Sequence, residues 1–446
     1  MILIYSLNLC IIEFRNGGAL MKELKVLELF AGVGGFRIGL ENSAKDIFKT
    51  KWSNQWEPSR KSQDAFEVYS YHYPDSMNLN EDISKIPDDV FKSMDADMIV
   101  GGFPCQDYSV ARSKKNEKGI EGKKGVLFWD IIRAVTLINP KYLILENVDR
   151  LLKAPSKQRG RDFAVMLAAL NQLNYSVEWR VINAADYGRA QRRRRVFFFV
   201  YRNDLPFAKN VDKSYAKIKV ENEPDRYKEY LLNTGLFATQ FPVKQEIVKK
   251  RHNFYELEQD ILDISESFTG QFWNTGVMRN GKVYSIETAP TDTSTFIPLG
   301  EILEGEDAVD EKYFITDKEK IDKFNYLRGP KKIERLTENG HTYTYSEGGM
   351  SPFDDLTLPG RTMLTSEGTV NRSTHFLKIN DRYRLITPIE AERLQDFPDN
   401  WTKYKRLSNG EVQEVTDKMR MFFMGNALVT EVIRRIGDGI KTIVEA

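Results

Sequence analysis

Lys25-Val26-Leu27-Glu28-Leu29-Phe30-Ala31-Gly32-Val33-Gly34-Gly35 joins a strand to a helix through a glycine-rich turn. Its first half is a short aliphatic strand, and its second half is a glycine turn that leads into the helical pattern Phe36–Asn42. A strand that passes through glycines into a helix N-terminus opens a doubly wound α/β sheet, where ligands bind at the carboxyl ends of the strands. The glycines are not spaced as in dinucleotide-binding turns, so pyrophosphate is not the favoured ligand. Trp52–Trp56, Asp97–Gly101, Tyr142–Glu146 and Val196–Val200 predict further strands. Helical patterns at Ser59–Tyr71, Phe128–Leu137 and Gly160–Leu173 separate them. Strands alternating with helices imply a parallel sheet covered on both faces. From about Asn203 to Arg384 this rhythm fails, with charge-rich stretches and loose strand signals such as His341–Tyr345. That region reads as a second, smaller domain. Met419–Gly425 then predicts a strand and Ala427–Ile443 an amphipathic helix, returning the chain to the first domain.

Composition bounds the chemistry. The 446 residues are 41% hydrophobic and carry 65 Lys plus Arg against 64 Asp plus Glu, a net charge of +1. Global charge therefore points to no particular partner, and local clusters must. Only two cysteines (Cys10 and Cys105) and four scattered histidines are present, which argues against a disulfide framework and against a zinc site. No apolar run is long enough to span a bilayer. Residues 1–20 lack the marks of a signal peptide, and the first convincing strand follows Met21. Translation is expected to start at Met21, with residues 1–20 a non-native leader.

The motifs follow in an informative order. Gln55-Trp56-Glu57 closes the second strand, where this fold places groups that bind ribose hydroxyls, and Asp82-Ile83 follows the third strand position. Gly101-Gly102-Phe103-Pro104-Cys105-Gln106 puts a thiol in a loop at a strand's carboxyl end, the position of a nucleophile. Ser109–Gly125 is basic and punctuated by glycines, including Arg112 and Lys114, and reads as a lid closing on phosphates. Glu146 ends another strand, where burial suits it to proton donation. Gln191-Arg192-Arg193-Arg194-Arg195 enters the next strand, and alternation puts Arg193 and Arg195 on one face.

Taken together, Phe30–Gly35, Pro104-Cys105-Gln106, Glu146-Asn147-Val148, Gln191–Arg195 and Gly425-Asn426 resemble, in order and context, the DNA cytosine-5 methyltransferases. Arg384–Pro388 through Arg393–Pro398 also looks like that family's penultimate motif. The resemblance covers about Lys25 to Arg202 and Arg382 to Gly437, and its type is the stand-alone bacterial or phage enzyme of a restriction–modification system. It implies a Rossmann-like catalytic domain over 21–203 plus 417–446, with a target-recognition domain and hinge over 204–416. It implies S-adenosylmethionine as methyl donor, duplex DNA as substrate, no metal, and a flipped-out cytosine methylated at carbon 5. Cys105 would be the nucleophile, Glu146 would hold or protonate N3, and Arg195 with Arg193 would bind the O2 side. By the same resemblance Phe30, Ala31, Gly32, Gly34, Trp56, Asp82, Ile83, Pro104, Leu127 and Asn426 line the donor pocket. Ser109, Arg112, Lys114 and Gln191 would face DNA.

Two positions depart from the family pattern. Gln55 stands where Glu is common, so either Gln55 or Glu57 binds the ribose. Ala427 stands where Ser usually follows Gly-Asn. Arg361-Thr362-Met363-Leu364-Thr365 and Asn371-Arg372-Ser373-Thr374-His375 are candidate groove readers, because Arg and Asn make paired bonds to base edges. Gln55–Lys61 and Arg361–Glu367 are similar to members that modify GATC, which implies that site. The expected setting is a cytoplasmic monomer whose cognate endonuclease shares the site without binding it. An RNA cytosine-5 methyltransferase usually has a much smaller second domain, and a non-catalytic DNA-binding relative would have lost Cys105, Glu146 or Arg195.

Overall fold

The computed structural model describes residues 23–104, 127–218, 222–247, 251–258, 260–337 and 340–446. The expected leader and Cys105, Ser109, Arg112 and Lys114 lie outside the described residues.

A ten-stranded sheet forms the body. Its strands are β1 (Leu24–Leu29), β2 (Phe48–Asn54), β3 (Met77–Leu79), β4 (Met98–Gly102), β5 (Tyr142–Asn147), β6 (Tyr175–Asn183), β7 (Arg194–Arg202), β8 (His252–Glu256), β9 (Thr275–Arg279) and β10 (Lys282–Ile286). Their order is β3-β2-β1-β4-β5-β7-β6-β9-β10-β8. The first five pair in parallel, whereas β7 runs antiparallel between β5 and β6. The chain can therefore enter β7 at the same edge where β1 to β5 end, which places the arginine run beside the end of β5.

Alternation along β7 shows why both faces are covered. Val196, Phe198 and Val200 join the layer built on helices Leu127–Ile138 and Arg161–Gln172. Phe197, Phe199 and Tyr201 join the layer of helices Gly35–Ala44 and Thr430–Glu445. Those two helices touch closely, since a Cβ on Gly39 would lie 2.5 Å from the Ile433 Cβ.

Beyond the large sheet lie smaller ones. Strands β11 (Phe314–Ile315), β14 (Phe376–Ile379) and β15 (Arg382–Leu385) form one, and β12 (Lys331–Leu336) with β13 (Thr342–Glu347) forms an antiparallel hairpin. A third apolar cluster joins Leu299, Met363, Leu377 and Leu394 to Val33 of the glycine turn.

Three expectations change. Met419–Gly425 is helical, inside Asp417–Asn426, where Thr416 caps the N-terminus and Asp417 sits in the first turn. A short apolar run has no period of its own, and the cap decides. The sheet is mixed rather than wholly parallel. The region after Asn203 also contributes β8, β9 and β10 to the main sheet, so residue 203 is not the sheet's end.

Candidate active site

The parallel strands deliver their carboxyl ends to one edge. At the end of β1 the chain turns through left-handed backbone at Phe30 (φ 53°), Gly32 (φ 55°) and Gly34 (φ 93°). Left-handed geometry suits glycine, and an added Cβ at Gly32 would meet nothing within 4 Å. Space is therefore left where a ligand can approach the main chain. Ala31 N–H donates to the Asn54 carbonyl (3.0 Å), and Gly34 N–H to the Ala31 carbonyl (2.8 Å). Gly32 N–H donates to Gln55 Oε1 (2.7 Å), and Gln55 Nε2 reaches Glu57 Oε1 (3.3 Å). Gln55 is thus spent on the turn, leaving the half-buried Glu57, whose carboxyl pKa is raised by burial, nearer to solvent. Trp56 beside it is 38% exposed. At the end of β3, Asp82 Oδ1 accepts from Ser84 N–H (3.0 Å) and Ile83 is buried. Pro104 is exposed after β4, Leu127 begins its helix half-buried, and Asn426 ends its helix exposed.

Glu146 occupies the end of β5, paired in register with Gly102 of β4. A Cβ on Gly102 would lie 2.9 Å from Glu146 Oε2, so the glycine makes room for the carboxyl. Arg195 Nε lies 2.9 Å from Glu146 Oε1. Burial nevertheless wins over Arg195 and Arg193, and the Glu146 pKa is raised. A carboxyl that retains its proton more readily than usual, beside a fixed cation, can donate to a basic nitrogen. Asn147 Nδ2 donates to the Phe103 carbonyl (2.8 Å), tying the end of β5 to the loop that leads into residue 105. The motif Glu146-Asn147-Val148 alone gives Asn147 no role; an amide next to the proton donor is the signal that could have found it.

The arginine run divides differently from the expectation. Arg195 faces Glu146, but Arg193 is buried and donates to the carbonyls of Met363 (3.1 Å) and Gly425 (3.2 Å). Burial, with the Arg195 cation beside it, lowers its pKa to about 9. Arg193 therefore joins distant segments through its two terminal nitrogens, and its buried Nε has no hydrogen-bond partner among the described residues. Gly425 belongs to the same junction, since a Cβ there would lie 2.4 Å from the backbone of Leu364 and Thr365.

The DNA-facing candidates have these surroundings. Gln191 is fully buried, donating to the Leu394 carbonyl (2.9 Å) and accepting from Met363 N–H (3.0 Å), so it is a brace. Arg361 binds Asp354 and the carbonyls of Ser373 and Thr374. Arg372 binds Glu347 and the carbonyls of Leu327 and Gly348. Both guanidiniums hold loops together, because free carbonyls in irregular segments need donors. Thr362 donates its hydroxyl to the Arg192 carbonyl, beside the catalytic edge.

Comparison with known proteins agrees with this geometry. The sequence model of the C-5 cytosine-specific DNA methylase family matches residues 24–442. The chain belongs to that family. This methylase is 55% identical over 423 residues to the Type II methyltransferase M.Sau3AI of Staphylococcus aureus, spanning 95% of this chain and 97% of the relative. It is 34% identical over 182 residues to M.HhaI of Haemophilus parahaemolyticus, covering 41% of this chain and 50% of that one. Its fold resembles the crystal structure of the Dnmt2 methyltransferase of S. pombe, with a TM-score of 0.55 at 15% identity over 95% of this chain and 99% of that one. The C-5 cytosine methylase is accordingly a DNA (cytosine-5-)-methyltransferase of the restriction–modification type, using S-adenosylmethionine as methyl donor.

Proposed function

We propose that the enzyme methylates carbon 5 of a flipped-out cytosine in a short duplex site through a covalent Cys105 adduct. The observation that carries this reading is Glu146, half-buried with a raised pKa and paired with Arg195 at the strand edge. Carbon 5 of cytosine is too weak a nucleophile to take a methyl group unaided. Addition of the Cys105 thiolate to carbon 6 makes an enamine-like ring that can. Glu146 donates to N3 as that addition proceeds, and Arg195 offsets negative charge growing toward O2. Arg193 is assigned a supporting role, holding this edge in place. After carbon 5 is methylated, N3 returns its proton to Glu146, and loss of the carbon 5 proton with expulsion of Cys105 restores the ring.

The open turn at Gly32 and the free edge near Glu57, Trp56 and Asp82 fit a donor with ribose and adenine parts. Phe30, Ala31, Gly34, Ile83, Pro104, Leu127 and Asn426 complete the proposed binding set. When bound, S-adenosylmethionine supplies the activated methyl group, and no metal is part of the proposal. Ser109, Arg112 and Lys114 are proposed lid contacts to DNA, and Thr362 a contact beside the edge. Target choice is proposed to lie within residues 204–416, with GATC as the site. A cytoplasmic monomer acting beside an unattached endonuclease completes the reading.

Labelled methyl donor with a plasmid free of 5-methylcytosine, followed by bisulfite sequencing, tests the reaction and its target site. The parent should label one short motif and Cys105→Ser should label nothing. Equal incorporation by the two proteins would remove Cys105 from the mechanism. Labelling of transfer RNA in place of plasmid would replace the DNA reading.

A further inference from the structure

The glycine turn at the end of β1 is held from a direction that its own neighbours in sequence do not supply. Trp401 Nε1–H donates to the Val33 carbonyl (2.8 Å), across 368 residues of chain. The indole is itself fixed: the His72 ring stacks on it at 3.6 Å with planes 3° apart, and His72 Nε2 bonds the Trp401 carbonyl (2.6 Å). The loop carrying Trp401 is fastened by Glu392, which accepts from Asn400 N–H (2.7 Å), Thr402 N–H (2.8 Å) and Arg420 Nη2 (3.0 Å). Glu392 belongs to helix Pro388–Leu394.

The other end of that unit reaches the arginine edge. The Leu394 carbonyl accepts from Gln191, and the Asp396 carboxylate takes a two-pronged bond from Arg189 (2.8 and 2.6 Å). One compact segment, residues 388–402, therefore grips the donor turn with the Trp401 side chain and the approach to Arg193 and Arg195 with the Leu394 carbonyl and the Asp396 carboxylate. Short bonds between partly buried partners anchored on a packed interior transmit displacement, because such interiors do not yield continuously.

We propose that Trp401 is a positioning residue for methyl-donor binding: its N–H sets the carbonyl of Val33 and so the open turn at Gly32, and it links that turn to the DNA-side arginine segment. The inference rests on reading Ala31–Gly35 as the donor turn. It adds to that reading a residue of the expected target-recognition and hinge region, and it predicts where the effect appears. Losing the bond should weaken donor binding, while the groups that touch cytosine stay where they are.

The test replaces Trp401 with β-(3-benzothienyl)alanine in the full chain, which keeps the ring shape and the stack on His72 but has no N–H. Donor affinity is measured by calorimetry with S-adenosylmethionine, and kcat and KM by methyl transfer to plasmid. One neutral hydrogen bond corresponds to about a fivefold change. Donor Kd and KM should rise about fivefold while kcat at saturating donor stays within about twofold of the parent. Trp401→Phe, which retains a ring for His72, should shift donor binding in the same direction and serves if the first variant folds poorly. Unchanged donor affinity in a folded variant, or a fall in kcat alone, overturns the proposal. Failure of the parent itself to bind the donor would instead overturn the reading of the turn.

Discussion

Glu28 shows how a residue under the site can carry a pH signature of its own. It is fully buried on β1, accepting from Tyr69 Oη–H (2.9 Å) and Arg37 N–H (3.4 Å). Burial outweighs both bonds and the Arg37 charge, and raises its pKa to about 7. Below the ordinary carboxylic range both folded and unfolded chains hold the proton, and the residue brings no penalty. As pH rises the unfolded chain ionises first, so native stability falls until Glu28 ionises near 7. The full difference is on the order of 3 kcal/mol. Glu28→Gln should remove that slope, so its melting temperature relative to the parent should climb between pH 5 and pH 8. A constant difference across that range would show that Glu28 does not titrate there. The sequence placed Glu28 only in an aliphatic strand, since its partners Tyr69 and Arg37 come from two different helices. Glu146 was legible because a carboxyl at a strand's end is costly unless used. Arg193 was not, because its acceptors at Met363 and Gly425 lie far along the chain.

Among the elements, the hairpin β12–β13 stands apart in exposure. Ile333 is 38%, Leu336 74% and Tyr343 45% exposed, and Lys332 and Arg335 also face solvent. Arg335 lies over the Tyr345 ring at 4.1 Å, and Lys331 is paired with Glu347. A lone two-stranded ribbon is marginal in water, yet it matches the width of the DNA major groove. The expected readers Arg361 and Arg372 are occupied, and Arg372 anchors the ribbon's base through Glu347 and Gly348. Lys332→Ala with Arg335→Ala should therefore weaken duplex binding and flatten its salt dependence by about 1 unit of slope for each phosphate no longer bound. Anisotropy titrations across salt concentrations would read this, and an unchanged slope would place the ribbon off the DNA. His341–Tyr345 already carried a loose strand signal, but its pairing with Lys331–Leu336 was invisible because no apolar alternation marks a ribbon exposed on both faces. The helix Asp417–Asn426 was misread for a related reason: its apolar run is short, and Thr416 decides its form.

At the scale of the whole molecule, the question is which parts of the chain need one another. The resemblance put a boundary at residue 203, yet β6 pairs with β9 through Val177–Arg180 and Thr275–Met278. Two buried ionic groups on β6 also depend on residues after 203. Glu178 accepts from Tyr230 Oη–H (2.9 Å), Leu236 N–H (3.0 Å) and Phe237 N–H (3.0 Å). Arg180 donates to the carbonyls of Leu231 (2.5 Å), Phe237 (3.1 Å) and Phe241 (2.7 Å). Removing those partners strips both groups of their hydrogen bonds, a loss of about 1–3 kcal/mol for each group left unsatisfied, and opens an apolar strand edge to pairing with other chains. A chain joining 23–203 directly to 417–446 should therefore aggregate. One joining 23–290 to 388–446 retains β8–β10, these partners and Trp401, and should stay monomeric and bind the methyl donor. Size-exclusion chromatography and donor calorimetry on the two proteins separate the cases. If the shorter chain folds and binds the donor as well as the longer one, the strands after residue 203 are an extension of the catalytic body and not a requirement of it.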